Sequence, residues 1–305
     1  MRVTQTLLSD RAMAALRESL GRMAKTQNQL GTGRRINTPS DDPAGHSTAT
    51  RLTARVATLD QYDRQAAAAQ APLTATNDLL DTLGSLSARA QELAVAGANG
   101  GLGAGERAGM ATEVNQILEE VVGTGNTSEH GRYLLGGQDT RTAPLNVTRN
   151  VNGDITAVTW NPRGVDGTID ATVSDGVTVQ TNVGGTAVMG ADTDPTFLPT
   201  LLIQLRDALT TNNQAGVSAV IDQFQTVTAR LSGAQSLVGS QLQTLDRTAA
   251  ANDTARTAAK AALSAIVDAD VAKVAVDLSQ QEAIYQAALH AASQAIQPSL
   301  LEFLK

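Results

Sequence analysis

The chain has three histidines, His46, His130 and His290. None has a second ligand at i+4, the spacing that puts two metal ligands on one helix face, and no HExxH run occurs. Cysteine is absent, which removes disulfides, thiolate metal sites and a Cys nucleophile. The serines lack a GxSxG elbow. The neighbouring carboxylates Asp41–Asp42 and Glu119–Glu120 lie in solvated or capping contexts. Gly-Thr-Gly at 31–33 follows a helical stretch rather than a strand, so it does not read as a dinucleotide fingerprint, and no GxxxxGK[ST] loop exists. The expectation is a protein that is not an enzyme, with no catalytic residue, no cofactor and no metal.

The densest cluster of turn formers is GTGRRINTPSDDPAG, residues 31–45. Gly31 or Gly33 suits the stop of one helix, because a C-terminal cap often needs a left-handed residue. The next helix can start in two ways. Asp42 can cap it with Pro43 in the first turn, or Ser40 can cap with Asp41 and Asp42 following. Either way the acidic groups face the positive helix end. These six residues therefore read as capping or hinge positions. A corner alone does not need Arg34, Arg35 and Ile36, and the three suggest a surface on which something else packs.

The elements around this loop are helical. Met13, Leu16, Leu20, Met23, Gln27 and Leu30 alternate in steps of three and four, an a/d seam on a helix of about residues 4–30. A second helix runs from near Asp42 to about Ala96, with Pro72 expected to kink or break it. A Gly-rich loop at 97–105 and a third helix over about 105–122 follow. From Leu145 to Met189 the pattern is β, with hairpin signals at Val-Asn-Gly-Asp 151–154 and Ser-Asp-Gly 174–176. Helix returns at Thr200. Leu231, Val238, Leu245, Ala259 and Ile266 share one heptad column with Asn252 as its polar member, and Val271, Val274, Leu278, Tyr285, Leu289, Ala292 and Ile296 form a last seam. The fold class expected is mainly α, an elongated coiled-coil and helical bundle built from both chain ends with a small inserted all-β domain. Its parts are 1–35 with 268–305 as a terminal coiled-coil assembly domain, 36–143 with 200–267 as a helical bundle, and 144–199 as a β-rich outer domain.

Composition supports thin helical packing. Aromatics make up only 2% of residues, so buried area must come from small aliphatic side chains. Net charge is −7, yet residues 1–35 carry seven basic and two acidic side chains, a net of +5 that leaves −12 for the remainder. An acidic body argues against nucleic-acid binding. No stretch approaches the roughly 18 apolar residues of a membrane span, so membrane insertion is not expected. Asp10, Arg11, Arg17 and Glu18 interrupt any leader-like apolar run, so no cleaved signal peptide is expected, and if the protein is secreted it leaves by a route that does not cleave it.

Four stretches in order, LGTGRRINTPSDDPAG (30–45), ARAQELAVAGANG (88–100), NTSEHGRYLLGG (126–137) and QEAIYQAALHAASQAIQPSLLEFL (281–304), resemble segments of the flagellin family. The first and last are more similar to its hook-associated branch than to filament flagellin. The resemblance implies a structural subunit of the bacterial flagellum, exported unfolded and assembled at the junction of hook and filament. Implied partners are neighbouring copies of itself, the other hook-associated junction protein, flagellin and a cytosolic export chaperone. The residues expected at the assembly interface are Met13, Leu16, Leu20, Met23, Leu30, Arg34, Arg35, Ile36, Leu278, Tyr285, Leu289, Ile296, Leu300 and Leu301. The alternatives are filament flagellin itself and, from another class, a coiled-coil signalling rod.

Overall fold

The computed structural model describes residues 2–296. Its elements in chain order are helices α1 (Arg2–Thr32), α2 (Pro43–Gly97) and α3 (Ala104–Gly125), and strands β1 (Ser128–Glu129), β2 (Arg132–Tyr133), β3 (Leu145–Arg149), β4 (Ile155–Trp160), β5 (Asp170–Ser174) and β6 (Val177–Gln180). Helices α4 (Gly185–Met189), α5 (Leu198–Thr210), α6 (Gln214–Val267) and α7 (Val271–Ile296) follow. The fold is mainly α with a small β portion. The chain forms two compact units, one of residues up to 58 and from 254 on, the other Leu59–Asp253. The boundaries expected from sequence, at 35/36, 143/144, 199/200 and 267/268, follow changes of pattern, whereas compactness divides the chain inside α2 and α6.

In the first unit α1 and α7 pair. Thr26 Oγ1 lies 3.0 Å from Gln281 Oε1 and Gly33 O accepts from Ala269 N at 2.9 Å, so rising numbers on one helix meet falling numbers on the other and the pair is antiparallel. The residues turned inward on α1 are Ala12, Leu16, Ser19, Met23, Thr26 and Leu30, and on α7 Val274, Leu278, Gln281, Tyr285, Ala288 and Ala292. Both sets step by four and three, the seam of two packed helices.

The second unit has one continuous apolar core. Leu73, Leu80 and Leu83 from α2, Val114 and Leu118 from α3, Leu201 and Leu205 from α5, and Phe224 and Val238 from α6 are buried together with Ile155, Trp160, Val173 and Val183 of the β region. Residues 144–199 thus share a core with the helices around them. Trp160 stands at the joint. Its ring lies 5.5 Å from that of Phe197 and its indole N–H donates to Gly190 O at 2.8 Å. The strands make three two-stranded antiparallel sheets, β1–β2, β3–β4 and β5–β6.

Three local expectations need correcting. Of the kink or break expected at Pro72, the break does not occur, since α2 runs from Pro43 to Gly97 around it. An interior proline costs about 3 kcal/mol, and the burial of Leu73, Leu79, Leu80 and Leu83 just beyond it supplies the packing that carries the helix through. Helix α3 continues past Gly123 to Gly125, whose missing Cβ would meet Leu145 Cδ1 at 2.6 Å. The β pattern ends at Gln180, and residues 185–189 form a short helix with Val188 and Met189 buried.

Candidate assembly interface

The loop between α1 and α2 is fastened by the charges it carries. Helix α1 ends at Thr32, and Gly33 takes φ +68°, a left-handed value that favours glycine. Gly31 lies two residues earlier, inside the helix. Asp42 is the N-cap of α2. Its Oδ1 accepts from Gly45 N at 2.8 Å, its carbonyl accepts the first helical bond from His46 N at 2.8 Å, and Pro43 fills the first position, where no N–H is needed. Ser40 takes another role, its hydroxyl 2.9 Å from that of Thr38. Asp41 closes the loop. Its carboxylate accepts from Asn37 N at 3.0 Å and Thr38 N at 2.9 Å, and pairs with Lys25 Nζ of α1 at 2.9 Å.

These contacts set the electrostatics. The Lys25 ammonium, then the Thr38 and Asn37 amides, hold the Asp41 carboxyl far below the usual carboxylate range. The Gly45 amide, with help from Arg35, depresses Asp42 as well. Gly45 leaves room for both neighbours, because a Cβ would come within 2.5 Å of Asp42 Oδ2 and 2.6 Å of Ile36 Cδ1 and those side chains would have to shift.

The same loop is strapped to the far end of the chain. Arg35 N donates to Val267 O at 2.6 Å, and Arg34 and Asp268 form an antiparallel bridge. The Arg35 side chain donates to Ile266 O at 2.8 Å and reaches Asp42 at 3.4 Å. Arg35 therefore belongs to the corner. Ile36, expected on a packing surface, is 5% exposed and buried within it. Only Arg34 of the three presents a free group, since its guanidinium has no hydrogen-bond or ion-pair partner among the described residues. It lies on the rim of an open groove of about 630 Å³ between the start of α2 and the end of α6, with His46, Ala49, Thr53, Lys260 and Leu263.

The arm helices divide the remaining expected residues into two groups. Leu16, Met23, Leu30, Leu278 and Tyr285 lie half-buried in the α1–α7 seam. Met13, Leu20 and Leu289 do not. Met13 is 44% and Leu20 41% exposed, and Leu289 is exposed too. The seam read from sequence is thus one position off on alternate turns, with Ser19 and Thr26 inside where Leu20 and Gln27 were expected. The residues at 16, 23 and 30 serve either column. What decides between the columns is the partner helix, where Gln281 lies within hydrogen-bonding distance of Thr26. Val276, 67% exposed, and Ile284 add to the outward apolar set and were missed because they fall outside the heptad column. Ile296 closes α7, and its side chain, like Leu300 and Leu301, lies outside the described residues.

No His, Asp or Glu cluster that could hold a metal occurs among the described residues, and no described helix is long and apolar enough to cross a membrane. What this unit offers is a helical hairpin with large apolar side chains on the outside of both helices and a clamped base.

Residues 3–140 match the bacterial flagellin N-terminal helical region. The chain is 29% identical over 146 residues to flagellar hook-associated protein 3 of Salmonella typhimurium, covering 48% of this chain and 46% of that protein. It thus spans about half the length of that relative. It is 25% identical to the flagellin of Listeria innocua over 99% of this chain and 98% of the other. Among solved structures, flagellar hook associated protein-3 from Legionella pneumophila superposes with a TM-score of 0.60 at 14% identity, over 71% of this chain and 98% of that one, a likeness of fold. Over residues 3–140 the chain is similar to the flagellin N-terminal helical region, and its relatives include both hook-associated protein 3 and flagellin.

Proposed function

We propose that this protein is a structural subunit of the bacterial flagellum that forms the junction between hook and filament, packing through its terminal helices. The observation that carries the reading is the outward placement of Met13 and Leu20 on α1 and of Val276, Ile284 and Leu289 on α7. An isolated domain gains nothing by exposing large apolar residues on both helices of a hairpin, whereas a subunit in a head-to-tail assembly buries them against the next copy. Its partners are neighbouring copies, the other hook-associated junction protein and flagellin. It is exported to the flagellum, and before export a cytosolic chaperone holds the C-terminal helices.

Electron microscopy of cells lacking the protein tests this. Bare hooks with flagellin released into the medium are expected, and normal filaments would refute the junction role. Filament flagellin remains the second reading, favoured by the full-length alignment with the Listeria flagellin. It predicts that the purified protein alone polymerises into long tubes, which a junction subunit does not do.

A further inference from the structure

The Gly-rich stretch at 97–105 has no part in the arm, yet it holds reactive chemistry. The chain contains two Asn-Gly dipeptides, Asn99–Gly100 and Asn152–Gly153. In such a pair the backbone nitrogen of the glycine, once deprotonated, can attack the asparagine Cγ. The new N–C bond closes a five-membered succinimide, the amide C–N bond breaks and ammonia leaves. Water then opens the ring at either carbonyl, giving aspartate or isoaspartate. The balance is one water in and one ammonia out, with base as the only catalyst.

The two sites share a dipeptide and differ in what surrounds it. At Asn99 the nucleophile is free, since Gly100 N donates to no acceptor among the described residues. The electrophile is activated, because Asn99 Oδ1, where negative charge builds up in the tetrahedral intermediate, already accepts from Gly101 N at 3.1 Å. Asn99 is also held in place, its main-chain carbonyl accepting from Arg107 Nη2 at 2.8 Å and Leu102 N at 3.2 Å. At Asn152 the nucleophile is occupied, for Gly153 N donates to Asn150 O at 3.1 Å inside the β3–β4 turn. No described donor meets the Asn152 side-chain oxygen.

We infer that Asn99 is a site of spontaneous succinimide formation and deamidation in the folded protein, that Asn152 is protected, and that Arg107 directs the product to isoaspartate. The last step follows from the buried guanidinium. Arg107 is 4% exposed, and its acceptors are all neutral: the carbonyls of Gly97, Asn99 and Leu102 and the side chain of Asn212. In the succinimide the Asn99 main-chain carbonyl is one of the two that water can attack, and Arg107 polarises that one. Attack there frees the main-chain carboxyl and reroutes the backbone through Cβ, which is isoaspartate. The carboxylate so formed faces a buried cation whose acceptors are all neutral.

The test uses the full-length protein aged at mildly alkaline pH, once native and once in urea, with both peptides followed by mass spectrometry and isoaspartate distinguished by fragmentation. In the native protein Asn99 is expected to convert about tenfold faster than Asn152, the rate equivalent of one net hydrogen bond of about 1.4 kcal/mol. In urea the two rates should converge and the isoaspartate share at residue 99 should fall. Equal native rates, a faster Asn152, no native conversion at Asn99, or an unchanged rate ratio or isoaspartate share in urea would each overturn the inference.

Discussion

At the scale of single residues, the loop from Gly33 to Asp42 shows how few groups make a fixed corner. Asp42 caps α2 through its side-chain oxygen, so Asp42→Ala should lower the melting temperature while Asp42→Asn, which keeps an acceptor, should largely retain it. Thermal melts of the two variants decide this. Both Asp41 and Asp42 have carboxyls depressed below their ordinary 3.8. A depressed carboxylate stabilises the fold above its unfolded value and loses that contribution as pH falls through its folded value. Stability should therefore decline as the pH drops below about 4, and Asp41→Asn should flatten that decline. The two arginines separate as well. Arg35→Glu breaks contacts to Ile266 O and Asp42 and should lower the melting temperature. The Arg34 guanidinium has no partner to lose among the described residues, so Arg34→Glu should weaken assembly with little effect on melting. The opposite order in paired melting and assembly assays would reject this division of labour.

At the scale of elements, Asn252 on α6 shows where pattern and packing disagree. In the heptad column that runs from Leu231 to Ile266 it is the polar exception, and a leucine there would complete the apolar stripe. In the structure Asn252 is 2% exposed, donates to Val173 O at 2.8 Å and lies 3.1 Å from Ser174 Oγ. It ties β5 to the helix. Asn252→Leu should thus destabilise the protein, by about 1–3 kcal/mol, because it leaves a buried carbonyl without a donor. Urea denaturation of the variant measures the loss, and a gain would mean that the stripe outweighs the hydrogen bonds. Pro72 makes the complementary point. Its local preference is to interrupt α2, and the long-range burial of the leucines beyond it prevails.

At the scale of the whole molecule, the pairing of α1 with α7 leaves a second apolar column unused. Leu16 and Met23 face the partner helix, and Met13 and Leu20 face outward. Leu16→Ala should loosen the hairpin, read as faster amide exchange in both arm helices. Met13→Asp with Leu20→Asp should leave exchange and melting close to those of the parent and, on the proposed function, abolish assembly with neighbouring subunits. Equal effects of the two changes on exchange would mean that both columns hold the hairpin together and that neither is kept for a neighbour.

The sequence by itself determined the mainly helical class, the helix stop and start at 31–43, the two hairpin turns in the β region and the likeness to the flagellin family. All of these depend on neighbours within a few residues or on ordered motifs. It left open which of Asp42 and Ser40 caps α2, and it placed Leu20 in the seam and Ile36 on the surface. Only the tertiary structure decided those points. The seam on α1 depends on which of two adjacent columns meets α7, some 250 residues away, where Thr26 finds Gln281. The fate of Arg35 and Ile36 depends on the end of α6 returning to the loop, with Val267 O accepting from Arg35 N at 2.6 Å. Periodicity tells a helix how wide its apolar arc is. The distant chain that packs against it determines which part of that arc is covered and which is left for another molecule.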